Sequence, residues 1–399
     1  MSPANDGAPS VLVPTGVAPY SYPCLRSLGR RGIGTVAASE RDHVPVFASR
    51  FCDETAALPD PEENLVAYKD ALLALAARED VKTVIPVREY DAYVLSKYRG
   101  EFADRVSLEV PPIETLERVH DRVKLAEAAE AAGVPVPDTR RFEAVDDWDG
   151  EYVIKSRYNL LADAYVDTHG PTEAEEVNSV THVRPGEVPD REEVLAEMGH
   201  APIVQEYVPS SDEYMFAGLY DEGEPVATFQ HRQIRGNSYT GGGGVYREST
   251  YDPELERVAR DLLAELDWHG LACIEYMEHA ETGEYYLTEI NPRMWQSLPS
   301  TVRAGADFPH YYWLQSRGRT DEIDPDFELG VGSHLLYGEL GYVASVLRDE
   351  SPFVERPSLR ETAWEIGESM ARQPRFDFLR LDDPRPFVHG VLQTLSKSD

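Results

Sequence analysis

Two acids and one amide, closely spaced in the chain, carry its most specific chemistry. Glu275 lies in residues 272–277, and Glu289 and Asn291 lie in residues 285–293. Both runs read as strands, and the polar stretch 278–284 between them carries Thr282-Gly283 as a turn signal. A hairpin closed on that turn sets Glu275 opposite Glu289 and Cys273 opposite Asn291. Strand alternation then points Glu275, Glu289 and Asn291 to one face, in the apolar company of Cys273, Met277 and Leu287. A carboxylate pair in such surroundings, with no lysine among them, is costly unless something compensates it. Magnesium would do so, being a hard cation that takes one or two carboxylates together with the phosphates of a nucleotide.

Glu275 followed by Glu289-Ile290-Asn291-Pro292-Arg293 also resembles the metal-binding end of the ATP-grasp ligases. The resemblance implies that Glu275, Glu289 and Asn291 bridge two magnesium ions, with manganese as an alternative, to the phosphates of ATP. It places Arg293 at the reacting group.

Further elements of the resemblance lie upstream in order. A helix over residues 114–132 contains Asp121-Arg122-Val123-Lys124 and stops at Gly133-Val134-Pro135-Val136-Pro137. With the strand 152–155 ending in Lys155, it is similar to the start of the family's small ATP-binding lobe, which implies that Lys124 and Lys155 hold ATP phosphates. The buried strand 203–208 resembles the family's hinge, Gln205-Glu206-Tyr207-Val208, where backbone from Glu206 to Val208 reads the adenine edge. Glu213 then takes the ribose hydroxyls. Related ligases carry paired arginines and glycines near the carboxylate being activated. Here Arg232 and Arg235 precede Gly241-Gly242-Gly243-Gly244, and Arg232, on the opposite strand face from Arg235, is the expected contact. The four glycines permit close approach of backbone to a ligand. One departure stands out. Residues 156–162 contain no glycine where the family has a glycine-rich lid, so Ser156, Arg157 and backbone amides must cover the phosphates or lid closure is altered. Arg303 is expected either to neutralise a substrate carboxylate or to pair with a surface acid.

These residues need elements to position them. Strands at 11–14, 34–38 and 84–87 alternate with helices at 23–31, 65–78 and from Asp91, which implies a parallel sheet flanked by helices. Gly29, Gly32 and Gly34 end a helix instead of opening one, so they form no dinucleotide fingerprint. The runs 25–33, 49–53 and 85–91 resemble the lead domain of the carboxylate–amine ligases, which lines the substrate side of the cleft. Tyr20, Tyr22 and Glu89, just after strand ends, are candidate substrate contacts. The expected architecture is an α/β ATP-grasp fold. It comprises a disordered lead (1–10), a Rossmann-like domain (11–113), a small α+β ATP lobe (114–204), a larger α+β lobe with an antiparallel sheet (205–318) and a C-terminal extension without interpretable motifs (319–399).

Composition narrows the function classes. The net charge is −34, from 72 acids against 38 bases. Such a charge excludes nucleic-acid partners and anionic membrane surfaces. Six lysines against 32 arginines resemble the lysine-poor surfaces of proteins from salt-loving microbes, and a haloarchaeal, halophilic protein is expected. No long apolar run suggests membrane insertion or export, and three scattered cysteines suit a reducing cytoplasm. The resemblance implies a C–N ligase that uses ATP to activate a small-molecule carboxylate as an acyl phosphate and joins it to an amine, without a Ser, Cys or His nucleophile or base. It is compatible with a homodimer. Phosphorylation of a hydroxyl, activation of bicarbonate, and nucleotide binding without turnover are the competing readings.

Overall fold

The computed structural model describes residues 8–16, 18–177, 179–350 and 354–396. Residues 1–7 of the expected disordered lead lie outside them, and Ser10 already belongs to the first strand.

Four parallel strands, β1 (Ser10–Pro14), β2 (Gly34–Ser39), β3 (Glu54–Ala57) and β4 (Val81–Val84), form a sheet in the order β3-β2-β1-β4. Leu12, Val36 and Ala38 enter one core, and Val11, Val13 and Ala37 enter another. Burial on both faces explains why β1 is apolar without alternation. The strand expected at 84–87 is displaced toward the N-terminus. Ile85 N–H still donates to Leu12 O at 3.0 Å, but Pro86 has no N–H with which to continue the ladder.

The single helix expected over 114–132 is two helices, Ile113–His120 and Arg122–Ala131. Asp121 breaks it with an extended backbone, and its carboxylate caps the second helix by accepting from Val123 N at 3.0 Å. The same carboxylate takes the Arg157 guanidinium, at 2.9 and 2.5 Å.

A second sheet has the order β5-β10-β6-β9, from β5 (Thr139–Arg141), β6 (Tyr152–Lys155), β9 (Val180–Val183) and β10 (Ile203–Glu206). Between β6 and β9, β7 (Leu161–Ala162) pairs with β8 (Ala174–Glu175). Phe142, Ile154, Val194 and Val204 give the second sheet a small core of its own.

The largest sheet is antiparallel, in the order β15-β14-β11-β12-β13-β16. Its strands are β11 (Ser210–Asp221), β12 (Glu224–Ser238), β13 (Gly241–Thr250), β14 (Gly270–His279), β15 (Tyr285–Asn291) and β16 (Gly332–His334). The region after residue 319 thus supplies an edge strand. Its helix Leu336–Arg348 packs on β12 and β13, and Glu339 holds the buried Arg235 guanidinium at 2.8 and 2.9 Å.

Candidate functional site

The hairpin β14–β15 pairs as its spacing predicts, with Glu275 opposite Glu289 and Cys273 opposite Asn291. Beyond Glu275 the register slips. Thr288 is left without a partner, and Tyr276 faces Leu287. This bulge turns Leu287 into the opposite core, with Ile274 and Ile290, so Leu287 does not share the face of Glu289 as simple alternation implied.

Glu275 sits in a cleft of about 610 Å³ between the second and third sheets. Lys155, at the end of β6, shares it, as do Glu213, Cys273 and the hinge residues Gln205 to Val208. Glu275 is exposed to the cleft, and the surrounding walls, then the Glu289 and Glu213 carboxylates, raise its pKa. Burial and the Arg122 guanidinium push Lys155 down to about 7, against the pull of Glu289 and Glu275. Burial raises Glu213, and an amide hydrogen bond from Gln233 opposes it.

Glu289, cross-strand from Glu275 but not itself on the lining of this cleft, begins a chain of polar contacts. Arg122 Nη2 donates to its Oε2 at 3.2 Å, and Asn291 Nδ2 donates to its Oε1 at 2.8 Å. Burial alone would raise Glu289, but Arg122, Asn291, Lys155 and Arg293 outweigh it and hold the carboxyl below its ordinary range. Arg293 Nη2 donates to Asn291 Oδ1 at 3.2 Å, and its Nε donates to Glu89 Oε1 at 2.5 Å. His120 Nε2 donates to the other Glu89 oxygen at 3.0 Å. Arg293 and Glu89 line a second cleft, of about 330 Å³, beyond the carboxyl ends of the parallel strands, together with Tyr20, Arg88 and Glu176. Ligands of open parallel sheets collect at such a place. Tyr22 is not there. It is buried, and it lines a separate cavity.

Several expected residues lie elsewhere. Lys124 pairs with Glu117 at 2.5 Å, and Arg122, two residues earlier, points to Glu289 instead. Arg122 follows the capping aspartate directly, and that position was the available signal. Arg232 is 45% exposed at its side chain and pairs loosely with Asp212, at 3.7 Å. Arg235 is committed to Glu339. Their neighbours His231 and Gln233 line the cleft, as alternation would have shown had the opposite face been chosen. Burial, with Arg247 nearby, pushes His231 down to about 3, and its Nε2 shares a 2.9 Å hydrogen bond with Ser297 Oγ. Arg303 enters neither cleft, and its guanidinium donates to the Phe376 carbonyl.

Residues 156–162 do not form a loose lid. Arg157 is tied to Asp121, and Leu160, Leu161 and Ala162 are buried. The four glycines do line the large cleft, as the start of β13. Gly241 and Gly242 have φ of +123° and +98°, and a Cβ on Gly243 would stand 2.7 Å from Gln296 Oε1. In the hinge, the Glu206 and Tyr207 amides donate to the Asp138 and Glu151 carbonyls, at 3.0 and 2.9 Å. Those two amides are therefore committed within the chain.

No protein-family profile matches the chain. Acetyl-CoA carboxylase 2 of Oryza sativa subsp. japonica is 46% identical over 48 residues, which are 12% of this chain and 2% of that enzyme. The chain therefore spans only a small part of that curated relative. Among solved structures, an N5-carboxyaminoimidazole ribonucleotide synthetase in its ADP complex superposes with a TM-score of 0.59 at 16% identity, covering 91% of this chain and 96% of that one. L-amino acid ligase from Bacillus licheniformis gives 0.58 at 13%, covering 81% and 78%. The biotin carboxylase domain of Hydrogenobacter thermophilus 2-oxoglutarate carboxylase, holding MgADP, ADP and bicarbonate, gives 0.57 at 16%, covering 81% and 73%. The parallel sheet, the small second sheet and the large antiparallel sheet together form the ATP-grasp fold.

Proposed function

We propose that the chain is an ATP-dependent ligase that activates a carboxylate as an acyl phosphate and joins it to an amine. The observation that carries this reading is the chain of contacts Arg122–Glu289–Asn291–Arg293–Glu89. It runs from Glu289, cross-strand from the cleft-lining Glu275, to the second cleft.

In this reading ATP lies in the large cleft. Its adenine edge meets Val208 N–H and the hinge carbonyls, and its ribose lies near Glu213. Lys155 and Arg122 neutralise its phosphates. Glu275, Glu289 and Asn291 would hold magnesium, which supplies charge neutralisation at the transferring phosphoryl group. The fit lies in the donor set itself, two carboxylates directly opposite one another across the hairpin with an amide oxygen two residues along. The substrates occupy the second cleft, with Arg293 orienting the carboxylate. A carboxylate oxygen attacks the γ-phosphorus, the bond to the bridging oxygen breaks, and ADP leaves. The amine then attacks the acyl carbon, phosphate departs, and the nitrogen gives up a proton. The work is positioning and charge neutralisation, and water must be kept from the acyl phosphate.

A second reading, activation of bicarbonate, is favoured by the match to rice acetyl-CoA carboxylase and the likeness to a carboxylase domain that holds bicarbonate. One experiment separates them. ADP release is measured with magnesium in molar KCl against a matrix of small carboxylates, amines and bicarbonate, with Glu289→Gln alongside. The ligase reading requires release that depends on both an acid and an amine and is lost in the variant. Release with bicarbonate and no other acid would replace it with the second reading, and nucleotide binding without turnover would sink both.

A further inference from the structure

A cavity of about 370 Å³ opens between the helix Ser21–Gly29, the helix Leu298–Arg303 and residues 375–380. It shares no lining residue with either cleft. Its wall carries Arg26, Arg30, Arg31, Arg303, Arg375 and Arg380 against two carboxylates, Asp307 and Asp377. In a molecule with a net charge of −34, acids to balance these arginines are abundant, yet the wall does not use them.

Both aspartates are already committed. Asp307 accepts from Ser27 at 2.5 Å and pairs with Arg31 at 2.8 Å. Asp377 is buried against Arg247 and Ser333. On the rim, half-exposed Asp382 takes Arg26 Nη2 at 2.7 Å. That leaves Arg26 Nη1, on a residue only 8% exposed, buried without a hydrogen-bond partner. The Nε atoms of Arg303 and Arg380 are buried and unpartnered as well. Burial, with Arg380, Arg375 and Arg26 nearby, pushes Arg303 down to about 10 even though Asp377 pulls the other way. Buried guanidinium N–H groups without acceptors cost free energy that an anion would return.

We propose that this cavity binds a small phosphate-bearing anion held by Arg26, Arg303 and Arg380. The three guanidiniums come from three chain segments that wall one cavity. That suits a tetrahedral oxyanion better than a planar carboxylate, which one guanidinium satisfies in its own plane. The volume corresponds to on the order of ten waters, room for more than one phosphoryl group. A bound anion would tie together the first helix, the helix that follows the Glu289–Arg293 segment, and the C-terminal region.

The test is titration of the whole protein with inorganic pyrophosphate at fixed ionic strength, without magnesium, followed by calorimetry and by Tm. The expected result is one saturable site per chain and a raised Tm, both retained in Lys155→Gln. Binding should weaken at least tenfold in Arg380→Gln and, independently, in Arg303→Gln. Without anion, Arg380→Gln should melt no lower than the parent, because one of several repelling charges has gone. That control reports whether the variant folds, and Arg303→Gln serves if it does not. No saturable binding would overturn the proposal. So would binding lost in Lys155→Gln but kept in both arginine variants, or citrate binding as tightly as pyrophosphate.

Discussion

Arg293 Nε donates to Glu89 Oε1 across 2.5 Å, joining the end of β15 to the first turn of the helix Glu89–Lys97. Burial would raise the Glu89 pKa, but Arg293 and His120 outweigh it and bring the carboxyl from its ordinary 4.5 down to about 2. A depressed folded-state value means stability that is complete above the unfolded pKa and is lost as pH falls through the folded one. The contribution is at most about 3 kcal/mol. Acid unfolding of the parent protein should therefore show a component between about pH 4.5 and 2 that Glu89→Gln lacks. If the pair also positions Arg293, the variant should lose on the order of tenfold to a hundredfold in kcat/KM for the carboxylate while KM for ATP is unchanged.

Arg122 and Lys124 make opposite predictions. Arg122 reaches Glu289, and Lys124 pairs with Glu117. Arg122→Gln should weaken ATP binding by on the order of ten- to a hundredfold, the worth of one charge-assisted contact. Lys124→Gln should change it by less than about twofold, because an exposed pair contributes little. Equilibrium nucleotide binding measured on both variants checks the assignment. Equal losses would restore Lys124 to the site.

Gly242 carries a φ of +98°, and a Cβ there would stand 2.3 Å from Asn237 Oδ1. Gly242→Ala should cost about 1–2 kcal/mol from backbone strain alone, read as a lower Tm. The turn lines the large cleft, so nucleotide affinity should fall with it. An unchanged Tm would mean that the turn relaxes freely.

The buried pair Arg235–Glu339 fastens the C-terminal helix Leu336–Arg348 to β12. Glu339→Ala leaves an uncompensated guanidinium and should destabilise by about 3–5 kcal/mol in denaturant unfolding. Replacing both with apolar residues of similar volume, Arg235→Met with Glu339→Leu, should recover only part of that loss, because buried His334 Nδ1 also bonds Glu339 at 2.7 Å.

A net charge of −34 repels itself. Screening shortens from about 10 Å at 0.1 M salt to about 3 Å at 1 M, so Tm should rise steadily from dilute buffer into molar KCl. A flat profile would argue against the high-salt reading of the composition.

Local patterning made much of this molecule legible before any coordinates. The apolar runs at β1 and β2, the hairpin pairing of Glu275 with Glu289, and Lys155 at the end of β6 all follow from periodicity, turn chemistry and residue type. Failures came where one residue changes the phase of a pattern. Asp121 splits a helix by capping it. Thr288 bulges a strand and sends Leu287 to the other core. On β12 Arg232 was expected over Arg235, whereas His231 and Gln233 line the large cleft. Other features were beyond local reading altogether. Arg293 meets Glu89 across 204 positions and Arg235 meets Glu339 across 104. The arginine cavity gathers the helix Ser21–Gly29, the helix Leu298–Arg303 and the non-helical segment 375–380. Side-chain direction along a strand is a local property that sequence expresses through alternation. Which distant charge a buried guanidinium meets depends on how the sheets pack, and only the tertiary structure decides that.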